Sequence, residues 1–278
     1  MLKADEEIVI PTNLAEEDRY PYYYEHYFDN IDFSKPWLMR TPNVYRRLNN
    51  YVDKYTIKHP DSLAAAVIRL AERTKPNDEV FKFMVVDQLN KFANSKTMGH
   101  DKVYYKIVME YYATGQASWV ESTQLKKILD NANQMKGTFL GDTAANFTMK
   151  TTEGVDVALH NVQSDYTVLF FTTPDCGHCK DAAKKLREME NSMPVNTELL
   201  SVLFNTLPDD GPKYRADNNY WWPVLVPTFS QSGRIMSGYN IRSYPQIYVL
   251  DSEKKIIAKR IGVEQIKDII DHNRKYSE

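Results

Sequence analysis

Cysteine is almost absent from this chain of 278 residues. There are two, Cys176 and Cys179, with two residues between them. A disulfide-stapled secreted domain scatters several cysteines along its length, so that class is excluded and the pair must act locally. A zinc site takes about four ligands. Here one CxxC with His178 inside it offers at most three donors in poor geometry, and no metal is expected. Long apolar runs are absent as well; crossing a bilayer would need about 18 to 20 such residues. The start, Met1 to Val9, lacks the basic opening and apolar centre of a secretory leader. That leaves two readings: a cytosolic protein, or one whose leader has been removed. No sign of charge dominates either. The formal net charge is -2, and basic residues stand singly or in short groups beside acidic ones. This describes a solvated surface, and no nucleic-acid partner is expected.

What is present supports two domains. Apolar residues make up 42% and charged residues 26%, enough for two real cores in a chain of this length. Residues 1–135 read as an all-helical domain. The first 35 or so look irregular, interrupted by Pro11 and Pro21 amid a run of tyrosines. Helical spacing then begins after Thr41-Pro42 with Val44, Leu48, Tyr51 and Val52. It continues from Asp61, from Asn77 or Asp78, through Val103 to Tyr112, and around Leu125 to Leu129. Near Gly137 the pattern changes, so residues 136–278 form the second domain. Phe147 to Met149 and Val155 to Leu159 can pair as a hairpin around Glu153-Gly154. Val168 to Phe171, Leu199 to Phe204, Gln246 to Leu250 and Ile256 to Ile261 read as strands. Helices are expected after Cys179, near Lys213 to Trp222, and from Val263 to Ile270. Strand–helix–strand order of this kind argues for an α/β layer fold.

The chemistry lies in Cys176-Gly177-His178-Cys179. Cys176 follows a buried strand and a short turn and opens an amphipathic helix. Its sulfur is therefore expected near unpaired backbone N–H groups at the positive helix end, where a thiolate is favoured. Cys179, one turn later, can reach it and shares the apolar face with Ala183 and Leu186, so it should be the more buried. This pattern points to thiol–disulfide exchange: Cys176 forms a mixed disulfide with a substrate and Cys179 resolves it. Gly177 and His178 are candidate tuning residues. A protonated His178 would stabilise the thiolate and make the disulfide the stronger oxidant. No cofactor is called for.

These residues resemble a known family. Residues from about 137 onward resemble thioredoxin-like proteins of the TlpA/ResA class of the bacterial cell envelope. The resemblance lies in Gly141 to Phe147 (GDTAANF), Val168 to Cys179 (VLFFTTPDCGHC) and Tyr239 to Asp251 (YNIRSYPQIYVLD). It implies a central mixed sheet flanked by helices, with Pro245 as the family's cis-proline. It also implies that the backbone at Tyr244 pairs with an extended substrate. Departures are plain: Asp175 stands where a tryptophan is common, Ala145 where a proline is, and Phe170 where thioredoxins carry a buried acid. Proton transfer at Cys179 then needs another group, with Asp175 and Asp181 as candidates, or water. The helical part resembles, on Tyr27 to Phe33 and Arg40-Thr41-Pro42, a domain that precedes thioredoxin-like domains in Bacteroidetes envelope proteins. Together these imply a periplasmic or envelope protein, as a lipoprotein once its signal is counted. Its partners would be protein thiols and disulfides, with a membrane or thioredoxin-type dithiol as electron donor.

Two other functions compete. Peroxiredoxins share the fold and use a Thr-x-x-Cys approach to peroxide, which Thr173-Pro174-Asp175-Cys176 matches; Leu169 stands where their proline would lie. Alternatively the thioredoxin-like half is a non-catalytic partner-binding module, with Trp221 and Trp222 as part of a binding surface or as packing for an inserted helix.

Overall fold

The computed structural model describes residues 6–277, so the first five residues of the stretch read above for a leader lie outside it. The chain divides into two compact units, Met1–Asn133 and Gln134–Glu278.

The first unit is helical: α1 (Glu16–His26), α2 (Pro42–Asp53), α3 (Pro60–Thr74), α4 (Asp78–Ala93), α5 (His100–Ile107) and the start of α6 (Ser122–Met135). Their ends follow local chemistry. Pro42 sits in the first turn of α2, where its missing N–H costs nothing. The Asn77 side chain accepts from the N–H groups of Glu79 and Val80 and starts α4. A π-helical turn, Val108–Tyr112, continues α5 and buries Tyr111 and Tyr112.

The expectation of an irregular first 35 residues fails over residues 16–26. Residues 16–26 are helical despite Pro21. Ring contacts at helical spacing compensate for the lost backbone bond: Tyr20 with Tyr24, Tyr22 with His26, Tyr23 with Tyr27. The same tyrosines pack on other elements, Tyr24 against Tyr51 at 4.6 Å and Tyr23 against Tyr55 at 5.3 Å. Tertiary stacking here outweighs the roughly 3 kcal/mol penalty of an interior proline.

The second unit is built on a sheet. A short antiparallel hairpin, β1 (Thr148–Lys150) and β2 (Asp156–Ala158), precedes it. Gly154, at φ +82°, supplies the left-handed turn between them. Then come β3 (Tyr166–Thr172), α7 (Gly177–Glu188), β4 (Thr197–Leu203), α8 (Gly211–Asp217), β5 (Val224–Leu225) and α9 (Phe229–Gly238). After them follow β6 (Gln246–Leu250), β7 (Ile256–Lys259) and α10 (Ile266–Ser277). The five-stranded sheet has the order β5-β4-β3-β6-β7. β3, β4 and β5 are parallel, while β6 and β7 are antiparallel to their neighbours, so the sheet is mixed.

Every residue of β3 is buried, as its unbroken apolar run demands. Side chains alternate between two cores. Val168 and Phe170 join Ala183 and Leu186 of α7 and Ile266 and Ile270 of α10. Leu169 and Phe171 join Ile235 of α9 with Tyr239, Tyr248 and Leu250.

The helix expected over Lys213 to Trp222 is shorter than that and starts earlier, at residues 211–217; the tryptophans lie beyond it. Trp222 is fully buried, stacked on Tyr220 at 4.6 Å, with its indole N–H donating to Ser201 Oγ at 2.5 Å. Trp221 is half-buried against the same core. The pair fills the space under β4 and β5 and forms no exposed aromatic surface.

Candidate functional site

β3 ends at Thr172, and the turn Thr173–Asp175 carries the chain to the head of α7. Cys176 is the N-cap of that helix, with extended backbone (φ -102°, ψ 113°). In this position its sulfur takes the place of a capping oxygen: the backbone N–H of Cys179 donates to Cys176 Sγ at 3.1 Å. An N-cap accepts one of the four N–H groups that a helix start leaves unpaired, and the positive helix end favours negative charge there. The site is therefore wired to hold a thiolate when the cysteines are reduced. Here Cys176 and Cys179 are joined as a disulfide, their Cα atoms 5.2 Å apart, within the range such a bond requires.

The two sulfurs have different surroundings. Cys179 is 1% exposed and lies with Ala183 and Leu186 on the packed face of α7, whereas Cys176 is only half-buried. Gly177 and His178 form the exposed first turn between them. A Cβ placed on Gly177 would meet nothing within 4 Å, so space alone does not require glycine there.

A second segment closes on Cys176 from across the sheet. β6 runs antiparallel to β3 with Gln246 opposite Phe171, which brings the residues just before β6 beside the cysteine turn. The Tyr244–Pro245 bond is cis. The carbonyl oxygen of Tyr244 lies 3.7 Å from Cys176 Sγ. The Tyr244 ring packs on Phe204 at 5.6 Å, and burial pushes its phenol pKa up. Phe204 is tied in turn to the cysteine side, its N–H donating to the Thr172 carbonyl at 2.9 Å. Below them Tyr248 donates to the Tyr239 carbonyl at 2.6 Å, and Tyr239 donates to the Ala145 carbonyl at 2.5 Å. Phe171 packs against both of these rings. The segment 239–245 is thus pinned by buried hydroxyls and rings to the strand that leads to Cys176.

Phe170 is fully buried under α7, so no carboxylate stands beneath Cys179 at that position. Asp175 and Asp181 are both exposed. Sequence reasoning passed over Thr172, which is buried and whose hydroxyl has no hydrogen-bond partner; Thr173, singled out above only for the Thr-x-x-Cys match, is buried and unpartnered in the same way. A buried unpaired hydroxyl is costly and calls for an explanation. Thr172 closes β3 and Thr173 opens the turn that leads to Cys176. The switch from apolar Phe170-Phe171 to polar Thr172-Thr173 at the end of the buried run is the signal that could have found them. Among the described residues no three His, Cys, Asp or Glu side chains gather as a metal site.

Comparisons with known proteins bear on both parts of the chain. Residues 140–259 match the family model described as the AhpC/TSA family. Residues 6–136 match one described as a domain of unknown function, DUF5106. A thioredoxin-like protein of Bacillus subtilis, YneN, is 22% identical over 129 residues, covering 46% of this chain and 75% of its own. The crystal structure of a thioredoxin-like protein from Bacteroides caccae is similar with a TM-score of 0.67 and 18% identity. That match covers 96% of this chain and 98% of the other. The solution structure of a thiol:disulfide interchange protein from a Bacteroides species matches with a TM-score of 0.45 and 19% identity, over 49% of this chain and 90% of its own.

Proposed function

We propose that this chain, whose residues 140–259 match the AhpC/TSA family model and have a thioredoxin-like fold, exchanges disulfides with protein substrates through Cys176 and Cys179. The observation that carries the reading is the asymmetric pair at the head of α7: a half-buried Cys176 sulfur capped by an N–H, joined to a fully buried Cys179.

In the reducing direction Cys176 thiolate attacks a substrate disulfide. A new S–S bond forms, the substrate bond breaks, and one substrate thiolate leaves. Cys179, once deprotonated, attacks the Cys176 sulfur and expels the second substrate thiolate. Two electrons have passed from the dithiol to the substrate, and the Cys176–Cys179 disulfide remains. The reverse sequence oxidises a substrate dithiol. The helix end stabilises Cys176 thiolate both as nucleophile and as leaving group. The Tyr244 carbonyl beside Cys176 accepts a backbone N–H from an extended substrate and aligns its sulfur. His178, when protonated, adds positive charge in the first turn of α7. Proton transfer at the buried Cys179 runs through water.

Residues 1–135 form a helical domain of unassigned role, and the redox domain, residues 136–278, follows it. We place the protein in the periplasm or cell envelope, where disulfides persist. A membrane or thioredoxin-type dithiol would regenerate the reduced form. Among the described residues no helix is long and apolar enough to cross a membrane.

The test is disulfide trapping. Cys179→Ser should accumulate mixed disulfides with protein substrates through Cys176, and Cys176→Ser should accumulate few. Equal trapping by both variants, or none by either, would contradict the assigned roles.

A second reading, thiol peroxidase, is favoured by one observation: the unpaired, buried hydroxyl of Thr173, three residues before Cys176. In it Cys176 thiolate attacks a peroxide oxygen and becomes a sulfenic acid while water leaves. Cys179 then condenses with it, releasing a second water. Rapid consumption of hydrogen peroxide, lost in Cys176→Ser, would favour this reading over protein disulfide exchange.

A further inference from the structure

The sheet does not hold the stretch that brings the Tyr244 carbonyl to Cys176. After α9 the Ile241 N–H still donates to the Met236 carbonyl at 2.8 Å, and β6 begins only at Gln246. Between them Pro245 has no N–H, and the N–H groups of Ser243 and Tyr244 donate to nothing among the described residues. Backbone outside a ladder keeps its course only where side chains fix it. On one side that anchor is the Tyr244 ring on Phe204. On the other it is Arg242, two residues and at most about 7 Å of chain away from Tyr244. Arg242 Nε donates to Asn240 Oδ1 at 2.8 Å, and its Nη2 donates to Gln134 Oε1 at 2.9 Å.

Both partners have their own supports. Asn240 is 3% exposed and sits at φ +47°, a left-handed conformation that asparagine tolerates. Its N–H donates to the Ser237 carbonyl at 3.2 Å, and its carbonyl accepts from Arg260 Nη2 at 3.4 Å. Gln134 stands in the last turn of α6 and is the first residue of the second unit, 108 residues before Arg242. One rigid, planar guanidinium therefore clamps the loop to two amide oxygens, a geometry that the point charge of a lysine does not supply. We infer that Arg242 is a positioning residue for exchange: it acts by holding the Tyr244 carbonyl where the backbone N–H of an extended substrate meets it. Its effect is confined to substrates that have a backbone to align. This rests on the disulfide-exchange reading and adds to it a residue that sets the rate with peptide substrates.

The test uses the reduced full chain and two disulfides with the same leaving group. One is a short synthetic peptide whose single cysteine is joined to 2-mercaptoethanol. The other is the symmetrical disulfide of 2-mercaptoethanol, which has no peptide group. In each, Cys176 thiolate attacks one sulfur, a mercaptoethanol thiolate leaves, and Cys179 displaces the thiolate that remains on Cys176. One disulfide is reduced to two thiols and the dithiol is oxidised. Arg242→Gln should slow the peptide reaction about fivefold or more, the net worth of one hydrogen bond, and leave the small disulfide within about twofold. Gln134→Ala should slow the peptide less. Gln134→Ala/Arg242→Gln should be no slower than Arg242→Gln alone, because the two side chains act through one contact. The redox midpoint should not move in any of these variants. Both side chains are exposed, and retained cooperative melting shows that the variants are folded. Equal slowing with the two disulfides, or a shifted midpoint, would place the effect at the cysteines or in the fold and overturn the inference. An unchanged peptide rate in Arg242→Gln would overturn it as well. A wild-type chain that reacts with neither disulfide would overturn the exchange reading and the positioning role with it.

Discussion

The sulfur of Cys176 lies 3.7 Å from the carbonyl oxygen of Tyr244, although 68 residues separate the two in the chain. That carbonyl is held by the packing of the Tyr244 ring on Phe204. Tyr244→Ala removes the ring contact and frees the backbone proposed to meet the substrate. Mixed-disulfide formation with protein substrates should slow by about three- to tenfold, the worth of one aromatic pair. Tyr244→Phe keeps the ring and should change the rate less than about twofold by the same measure. Stopped-flow mixing in the Cys179→Ser background reads both. Equal rates for the alanine and phenylalanine variants would remove the ring from the account.

His178 sits exposed in the first turn of α7, between the cysteines. A cation there favours the thiolate, hence the reduced form, and raises the potential of the couple. His178→Gln keeps a polar side chain that cannot take up a proton. A change of about one pK unit in thiolate stability corresponds to about 30 mV, so the midpoint should drop by roughly that amount. A midpoint unmoved by the substitution would make His178 a bystander.

The buried indole of Trp222 has one partner, the Ser201 hydroxyl at 2.5 Å. Ser201→Ala strands that N–H in the core under β4. The loss should be about 1–3 kcal/mol of unfolding free energy, with the denaturant slope unchanged. Urea unfolding measures it. A loss well below this range would mean that water enters the gap.

Glu198 on β4 has its carboxyl pKa raised by burial above the ordinary value of 4.5. The folded state therefore holds its proton more tightly than the unfolded chain does. Stability from this group is present below pH 4.5 and is lost as pH rises from there through the raised folded value. Above that window folding bears the cost of a partly desolvated carboxylate. Glu198→Gln should raise the melting temperature at pH 7 and do little at pH 4. The opposite pH dependence would show that the carboxylate has a favourable partner in the fold.

Much of the second unit was legible because its strands are extreme. Residues 168–171 form an unbroken apolar run, and only a strand covered on both faces accommodates it. The start of α7 was legible for the same reason, since a turn after such a strand leads into apolar residues at helical spacing. The region 206–238 was not. β5 is two residues long and exists through its pairing of Val224 with Ser201, which no periodicity can announce. α9 contains glycine and serine at three of its first five positions and gets its start from Thr228 and Gln231. In the first unit Pro21 masked a helix that rings from elsewhere in the chain hold together. Within the site, the two cysteines and their order of burial were local information. The approach of Tyr244 is set by the antiparallel return of β6, a long-range feature that only a resemblance could suggest.

The central claim is that Cys176 and Cys179 are a working redox couple. Equilibrating the full chain in glutathione buffers of graded potential, then alkylating and weighing it, tests this most directly. The account predicts a single reversible two-electron transition between a dithiol and the Cys176–Cys179 disulfide, abolished in either serine variant. A pair that stays oxidised or stays reduced at every poise would contradict it.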